Sequence, residues 1–445
     1  MKIGIIGAGA AGLAAALDLS GKNHKVVVYE SAPFIGGQAS TIPVGGNPLE
    51  RGYHHLFTND AAILELMTDL GIHDKMKWYP SRVGTYTSGK VYKTTTALDL
   101  LRLGAIPFFD RIKLGLFALK VGRIKDWRDL EDQTADYWLR ERLGGPAYEK
   151  VWAPLLKGKF GRFYDQIGMP WFWSKIQTRL ASRQGIRGRE VLGYPDGSFD
   201  AVFDRLKSVI ESQGGEIHIS TSVTKVEVVD GVAKALIAKP DAGDEIREEF
   251  DCILSTVPSF SFPDLVELPD DYKKRLTDVH YLAAVVVILE LARPLTSYYW
   301  MNIADPEIPF LGLIEHTNML PKEWYGGSNV LYITNYLDRN DPVYSLSKDE
   351  LLDLYLPHMT KINPEFDRSS IKAVHYNSVS AAQPIIPINY SKSIPDHRTP
   401  IKRLYLANTT QIYPEDRGTN YSFKMGREIA STIMNDGKQS WSNWT

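Results

Sequence analysis

Cysteine is almost missing from this chain: among 445 residues only Cys252 carries a thiol. No disulfide can close within it and no cysteine-based metal cluster can be built, a usage that fits a reducing compartment. An excess of either charge is missing as well. The formal net charge is −2, which offers no general attraction to nucleic acid. Long apolar runs are absent too, since a membrane span needs ~18 uninterrupted apolar residues. Tyr281–Leu289 is too short, and the segment 97–121 is broken by Asp99, Arg102, Asp110, Arg111 and Lys113. The chain has no HExxH zinc pattern, GxSxG elbow, P-loop, internal repeat or low-complexity tract. What remains is an ordinary globular composition, 44% hydrophobic and 23% charged with 35 Gly and 25 Pro, at a length that predicts two domains. The expectation is a cytoplasmic protein, with peripheral membrane contact left open.

The apolar start from Met1-Lys2 to Leu19 imitates a signal peptide, but its glycines point elsewhere. Lys2–Ile6 is suited to a buried parallel strand, and Gly7-Ala8-Gly9-Ala10-Ala11-Gly12 follows at once. A helix then reads through Leu13, Ala16, Leu17 and Leu19 to Gly21, and a second strand, Lys25–Tyr29, ends on Glu30. A lone GxGxxG means little; set between a strand and a helix, with an acid after the next strand, it is a dinucleotide site. Gly7 permits the tight turn, Gly9 lets backbone approach a pyrophosphate, and Gly12 lets helix and strand pack closely. The helix N-terminus favours the pyrophosphate charge. Glu30 can accept both ribose hydroxyls and would repel a 2′-phosphate, which disfavours NADP. The alternative is a glycine-rich turn that binds nothing.

Glu30-Ser31-Ala32-Pro33-Phe34-Ile35-Gly36-Gly37-Gln38 then places a Gly-Gly pair shortly after the acid. This resembles the extended FAD fingerprint of monoamine oxidases, protoporphyrinogen oxidases, phytoene desaturases and UDP-galactopyranose mutases. The resemblance implies that the pair passes close to the ribityl phosphate; many relatives carry Arg where this chain has Gln38. Leu49-Glu50-Arg51-Gly52-Tyr53-His54-His55-Leu56-Phe57 matches the segment that runs past the flavin ring, and its paired histidines look more like the mutase version. Either histidine could act as acid, base or hydrogen-bond donor, or merely cap and pack. Asn59 or Asp60 is expected to cap the helix that follows, which Gly71 ends.

Further along, Gly193-Tyr194-Pro195-Asp196-Gly197-Ser198-Phe199 resembles the family's returning turn. A helix, strands at 216–219 and 221–229, an Asp230-Gly231 hairpin turn and a strand over 232–238 are predicted after it. The resemblance places the backbone at Val223 against the adenine. Cys252 reads as a small core residue of a buried strand. Near the C-terminus, a strand over 403–406 and a helix over 421–434 flank a loop ending Glu415-Asp416-Arg417-Gly418-Thr419-Asn420. The resemblance directs Arg417, Gly418, Thr419 and Asn420 at the flavin. Relatives hold a ribityl hydroxyl with the Asp of "AGD"; this chain has Ala407-Asn408-Thr409, so Glu415 or Asp416 could replace it.

These readings imply an α/β fold: a Rossmann-type FAD-binding domain of glutathione-reductase-like, amine-oxidase class, with an inserted α+β substrate domain. The expected boundaries are 1–60, 196–258 and 396–445 for FAD, and 61–195 with 259–395 for substrate. The first substrate block looks helical and aromatic, and Asp129–Leu143 with Tyr148–Lys157 resembles the helical domain of protoporphyrinogen oxidases. The second contains extended runs at 283–291 and 330–336, suggesting a sheet floor. Ala97–Trp127 mixes apolar residues with Arg102, Arg111, Lys113, Lys120, Arg123 and Lys125, either a membrane-surface segment or an ordinary lid. Trp171-Phe172-Trp173 and Tyr298-Tyr299-Trp300 either line a pocket or fill a core. Lys157, Lys159 and Lys424 are candidates for a lysine bridged by water to the flavin. Three functions stay open: oxidation or desaturation of a small or lipid-like substrate, a non-redox flavin isomerase like the sugar mutases, and a flavin-free binding protein.

Overall fold

The computed structural model describes residues 1–182, 190–442 and 444; residues 183–189 of the expected block 61–195 lie outside them. At its centre is a five-stranded parallel sheet in the order Leu404–Leu406, Cys252–Ser255, Lys2–Ile6, Lys25–Tyr29, Glu216–His218. Its strands are almost continuously apolar because both faces are covered. The helix Ala10–Ser20 packs against Thr419–Lys438 and Asp200–Ser212, and Thr419–Lys438 also packs against Ala61–Asp69. Leu13, Leu206, Met67 and Ile429 share that core with Ile3 and Val28. The opposite face, with Ile6, Val27 and Ile253, packs on Val226, Ala233 and Leu236 of an antiparallel ribbon, so the sheet is the expected Rossmann-type core, with those helices on one side. Cys252 is buried in its strand, and burial pushes its thiol up to about 12, so it is inert.

Two larger sheets and the two-stranded pairs Thr41–Val44 with Asn47–Glu50 and Met76–Pro80 with Val191–Pro195 complete the strands described. Thr221–Val229, Val232–Pro240 and Ile246–Glu249 form an antiparallel ribbon, with Asp230 and Gly231 both at positive φ in the hairpin turn. A seven-stranded mixed sheet has Tyr281–Leu291 at its heart, flanked by Ile371–Pro384 and Asn329–Asp338. Beyond these it runs through Gly312–Glu315 and Trp300–Ile303 to Val83–Thr87 and Lys90–Lys93. A helical block that includes Phe108–Gly122, Ala135–Leu143, Ala153–Phe160 and Met169–Ala181 packs beside it. The last helix, Thr419–Lys438, runs past the 421–434 expected at both ends, with Gly418 at its N-cap and Gln439 at its C-cap.

Candidate active site

The turn after the first strand is set by contact geometry. Gly7 has φ +104°, and a Cβ on Gly12 would lie 2.0 Å from the Gly7 carbonyl oxygen, so strand and helix approach as closely as glycine allows. Gly9 caps the helix Ala10–Ser20 with no side-chain acceptor, leaving the first N–H groups free for an anion. Gly36 and Gly37, both at positive φ, lie on this turn: Gly9 bridges Gly36, and a Cβ on Gly37 would come 3.2 Å from the Gly9 Cα. The Glu30 carboxylate accepts hydrogen bonds from Ala8 N and Ala32 N at 2.8 Å, and from the Ser31 hydroxyl at 3.3 Å. Thr221 N donates to Glu30 O, which seats the strand carrying half-buried Val223 beside this segment.

A cavity of about 390 Å³ lies beyond Gln38 and gathers the other expected residues. Gln38, Gly52, Tyr53, His54, His55, Arg417, Gly418, Thr419 and Asn420 all line it. The expected residues therefore fall into two groups, the glycine turn with Glu30 and the cavity wall, joined through Gly37-Gln38. Gln38 Nε2 donates to Ala381 O at 2.9 Å, while its Oε1 faces Arg417 Nη1 at 3.4 Å. Trp171, Phe172, Tyr299 and Trp300 line the cavity; Tyr298 instead packs against Gly84. Of the candidate lysines only Lys159 reaches it: Lys157 lies over the Tyr164 ring and Lys424 faces Glu428.

The paired histidines are buried and differ in their bonds. His54 Nδ1 lies 2.7 Å from the Gly52 carbonyl, which only accepts, so Nδ1 carries the proton and Nε2 the lone pair. Burial, with the Arg417 charge, lowers His54 to about 4. His55 Nδ1 lies 3.1 Å from the Tyr299 hydroxyl, and burial with nearby cations lowers it to about 3. Both are neutral at pH 7, which removes the imidazolium acid from the options. Beneath them Glu50 is fully buried, accepting from Tyr194 OH at 2.7 Å and Phe199 N at 3.0 Å; burial pushes it up to about 7. Asp60 stands at the N-cap of Ala61–Asp69, but its carboxylate accepts from Phe57 N. The cap comes from Asn420, whose Oδ1 accepts from Ile63 N at 3.1 Å.

The cavity also holds a charge cluster that sequence reasoning glimpsed only in Lys159, Asp416 and Arg417. Asp416 is buried between Lys159 Nζ at 3.1 Å and Lys175 Nζ at 2.6 Å, and accepts from Gln383 at 3.2 Å. Burial opposes its ionisation, yet Lys159, Lys175 and Arg417 hold its carboxyl well below the usual range. Arg417 Nη2 donates to Tyr336 OH at 2.7 Å, and its buried Nε has no partner among the described residues. Arg179 pairs with buried Glu190 at 3.4 Å. Lys175 and Arg179 sit one turn apart on Met169–Ala181, a spacing that looks like any solvated helix face until the fold brings residue 416 to it.

A parallel sheet with an uncapped helix N-terminus, an acid at the end of the second strand and a cavity at the far end of the groove defines a dinucleotide-binding oxidoreductase architecture. The sequence model of flavin containing amine oxidoreductases matches residues 10–415. The chain belongs to that family; it is a flavin oxidoreductase, and its cofactor is FAD, which sets aside the flavin-free binding protein. It is 22% identical to the zeta-carotene desaturase of Arabidopsis thaliana over 99% of this chain and 86% of that one. Its fold is shared with a candidate protoporphyrinogen oxidase of Exiguobacterium, at TM-score 0.76 and 18% identity over 97% of this chain and 98% of that one. It is shared too with cyclohexylamine oxidase of Brevibacterium oxydans, at TM-score 0.69 and 14% identity over 98% and 99%. The residues present suit FAD: a glycine cradle that a Cβ would fill, free helix N–H groups, and an orphaned Arg417 Nε at the cavity.

Proposed function

We propose that this chain oxidises or desaturates an apolar, lipid-like organic substrate by hydride transfer to non-covalently held FAD. The observation that carries this reading is the cavity wall: Trp152, Leu155, Phe160, Trp171, Phe172, Ile176 and Trp300 surround the space in front of Gly52–His55 and Arg417–Asn420. Bound FAD supplies the hydride acceptor. In this reading residues 1–60, 196–258 and 396–445 hold it, with Gly7–Gly12 on the pyrophosphate, Glu30 and Ser31 on the ribose, Val223 at the adenine, and Gly36-Gly37-Gln38 on the ribityl phosphate. Gly52, Tyr53 and the 417–420 turn line the flavin end, and residues 61–195 and 259–395 hold the substrate. The apolar wall orients the substrate and excludes water. His54 offers its Nε2 lone pair as a hydrogen-bond acceptor, and burial with the Arg417 charge keeps it a weak base. The test is anaerobic titration of the yellow protein, with loss of the visible flavin band as readout. Bleaching by apolar alkenes or ring systems is expected; bleaching by simple amines alone would overturn the reading.

The partner surface follows from the helical block. Phe109 is 82% exposed, Leu116 63% and Phe108 58%, with Leu98, Leu101, Ile112 and Leu119 beside them in sequence and also exposed. Residues 109, 112, 116 and 119 recur at helical spacing along Phe108–Gly122. Exposed Arg102, Lys113, Lys120, Arg123 and Lys125 accompany them. Apolar side chains with basic neighbours match an anionic bilayer surface, and among the described residues no helix is long and apolar enough to cross one. In this reading the segment 98–125 rests against a membrane surface. Sedimentation with anionic vesicles should fall about tenfold or more for Phe109→Asp, given ~2 kcal/mol for burying a large apolar side chain; equal sedimentation of variant and parent would remove this surface from the account.

A further inference from the structure

The geometry points to a substrate that is an anionic amphiphile, a carboxylate or equivalent acid on an apolar body, with its acid group held by Lys159 and Lys175. The inference rests on the cavity being the substrate site. Four cationic side chains line that cavity, Lys159, Lys175, Arg179 and Arg417, against the carboxylates of Asp60, Glu190 and Asp416. Glu190 is taken by Arg179. Asp60 accepts from Phe57 N, and although burial pushes it up to about 6 it stays mostly ionised at pH 7, with Lys175 close enough to act on its charge. Asp416 is the carboxylate in direct contact with both ammonium groups, with the Arg417 guanidinium adjacent.

Among the described residues that guanidinium hydrogen-bonds to Tyr336 OH and Gln38 Oε1, neither of them a carboxylate. With Arg179 and Glu190 paired, Asp60 and Asp416 thus stand against three cations, one positive charge in excess among the described residues. Burying charge without a counter-charge is expensive, so a site built this way is completed by an anion. The distribution over the fold says which anion. Arg417 lies on the turn before the last helix, the flavin side. Lys159 and Lys175 come from Ala153–Phe160 and Met169–Ala181, the same helices that supply Phe160, Trp171, Phe172 and Ile176 to the apolar wall. Apolar surface and two ammonium groups on one pair of helices describe a ligand with an apolar body and an acidic end. A protonated amine would meet like charge, and a plain hydrocarbon would leave the one excess positive charge of the cluster uncompensated.

The test uses the FAD-loaded protein and three probes of equal length, decanoate, decanol and decylamine. Their binding is followed by perturbation of the visible flavin band and by calorimetry. Decanoate is expected to bind about tenfold or more tightly than decanol, the margin of one charge-assisted hydrogen bond, with decylamine weakest. Lys175→Gln should shrink the ratio of decanoate to decanol affinity while leaving decanol affinity unchanged. Equal binding of decanoate and decanol, tightest binding of decylamine, or an unchanged ratio in Lys175→Gln would each overturn the inference. A variant that shifts only the reduction potential of the flavin, with that ratio intact, would assign the cations to the cofactor and overturn it as well. Protein that holds no FAD would instead remove the functional reading beneath it, an outcome visible before any probe is added.

Discussion

The glycine turn and the cavity wall do related work by opposite means. Around Gly7–Gly12 the main fixing contact is local, the close approach of Gly12 to the Gly7 carbonyl within one strand, turn and helix. Around the cavity the decisive contacts are long-range. Asp416 meets Lys159 across 257 residues, and Tyr332 donates to the Glu50 carbonyl across 282. The turn is held by the absence of side chains, the wall by buried polar ones. A backbone contact is insensitive to solution conditions, whereas a buried ionisable group ties stability to pH.

The largest expected effect breaks the turn. Gly12→Ala places a methyl 2.0 Å from the Gly7 carbonyl oxygen, with backbone on both sides and nothing flexible to yield. We expect a loss at or above the upper end of the ~1–3 kcal/mol typical of overpacking, together with purification of the protein without FAD. A variant that melts like the parent and retains full flavin content would refute the close strand–helix contact.

Glu50 probes the wall. Its carboxyl has a folded value of about 7 against 4.5 unfolded. Between those values the folded state binds more protons, so its contribution to stability is present below pH 4.5 and is lost as pH rises to 7. Glu50→Gln cannot titrate. Measured by denaturant melts, the variant should gain on the parent by about 3 kcal/mol between pH 4.5 and 7.5. A difference that stays flat with pH would show that Glu50 is not held as a buried neutral acid. His54 and His55 act with the opposite sign in the parent, being neutral when folded, but they are common to both proteins and cancel.

Legibility divides along the same line. The strand Lys25–Tyr29, the helix end at Gly21 and the Asp230-Gly231 turn were all readable, because each is written in a few consecutive residues. The extended runs near 283 and 330 were readable as strands, but not their antiparallel pairing, nor the parallel addition of Val83–Thr87 to Trp300–Ile303. Lys175, Arg179 and Glu190 carry no local mark of function. Phe109 and Leu116 show an apolar helical rhythm that could have faced a core, and only the fold turns them outward.

Asn420 joins the two kinds of region, and a smaller effect is expected there. Its carboxamide lines the cavity yet caps Ala61–Asp69 through Ile63 N. Asn420→Ala should cost ~1 kcal/mol, as caps do, while Asn420→Asp should recover most of it. Loss of flavin without loss of stability would make its contact with the cofactor the dominant one.

The smallest effect on stability is the most discriminating. Gly52 lines the cavity, and a Cβ built on it meets nothing within 4 Å of protein; its φ is also not one that favours glycine. The fold alone therefore gives no reason for glycine here, and Gly52→Ala should leave stability within about 0.5 kcal/mol of the parent. The functional reading supplies a reason, since it runs the flavin past this backbone. In that case the methyl meets the cofactor, and FAD affinity falls while the melting of the cofactor-free protein does not move. Gly12→Ala loses stability and FAD together because protein blocks protein; Gly52→Ala should separate them. If Gly52→Ala binds FAD as the parent does, the flavin ring does not pass residue 52, and the assignment of Gly52–His55 to the cofactor wall fails with it.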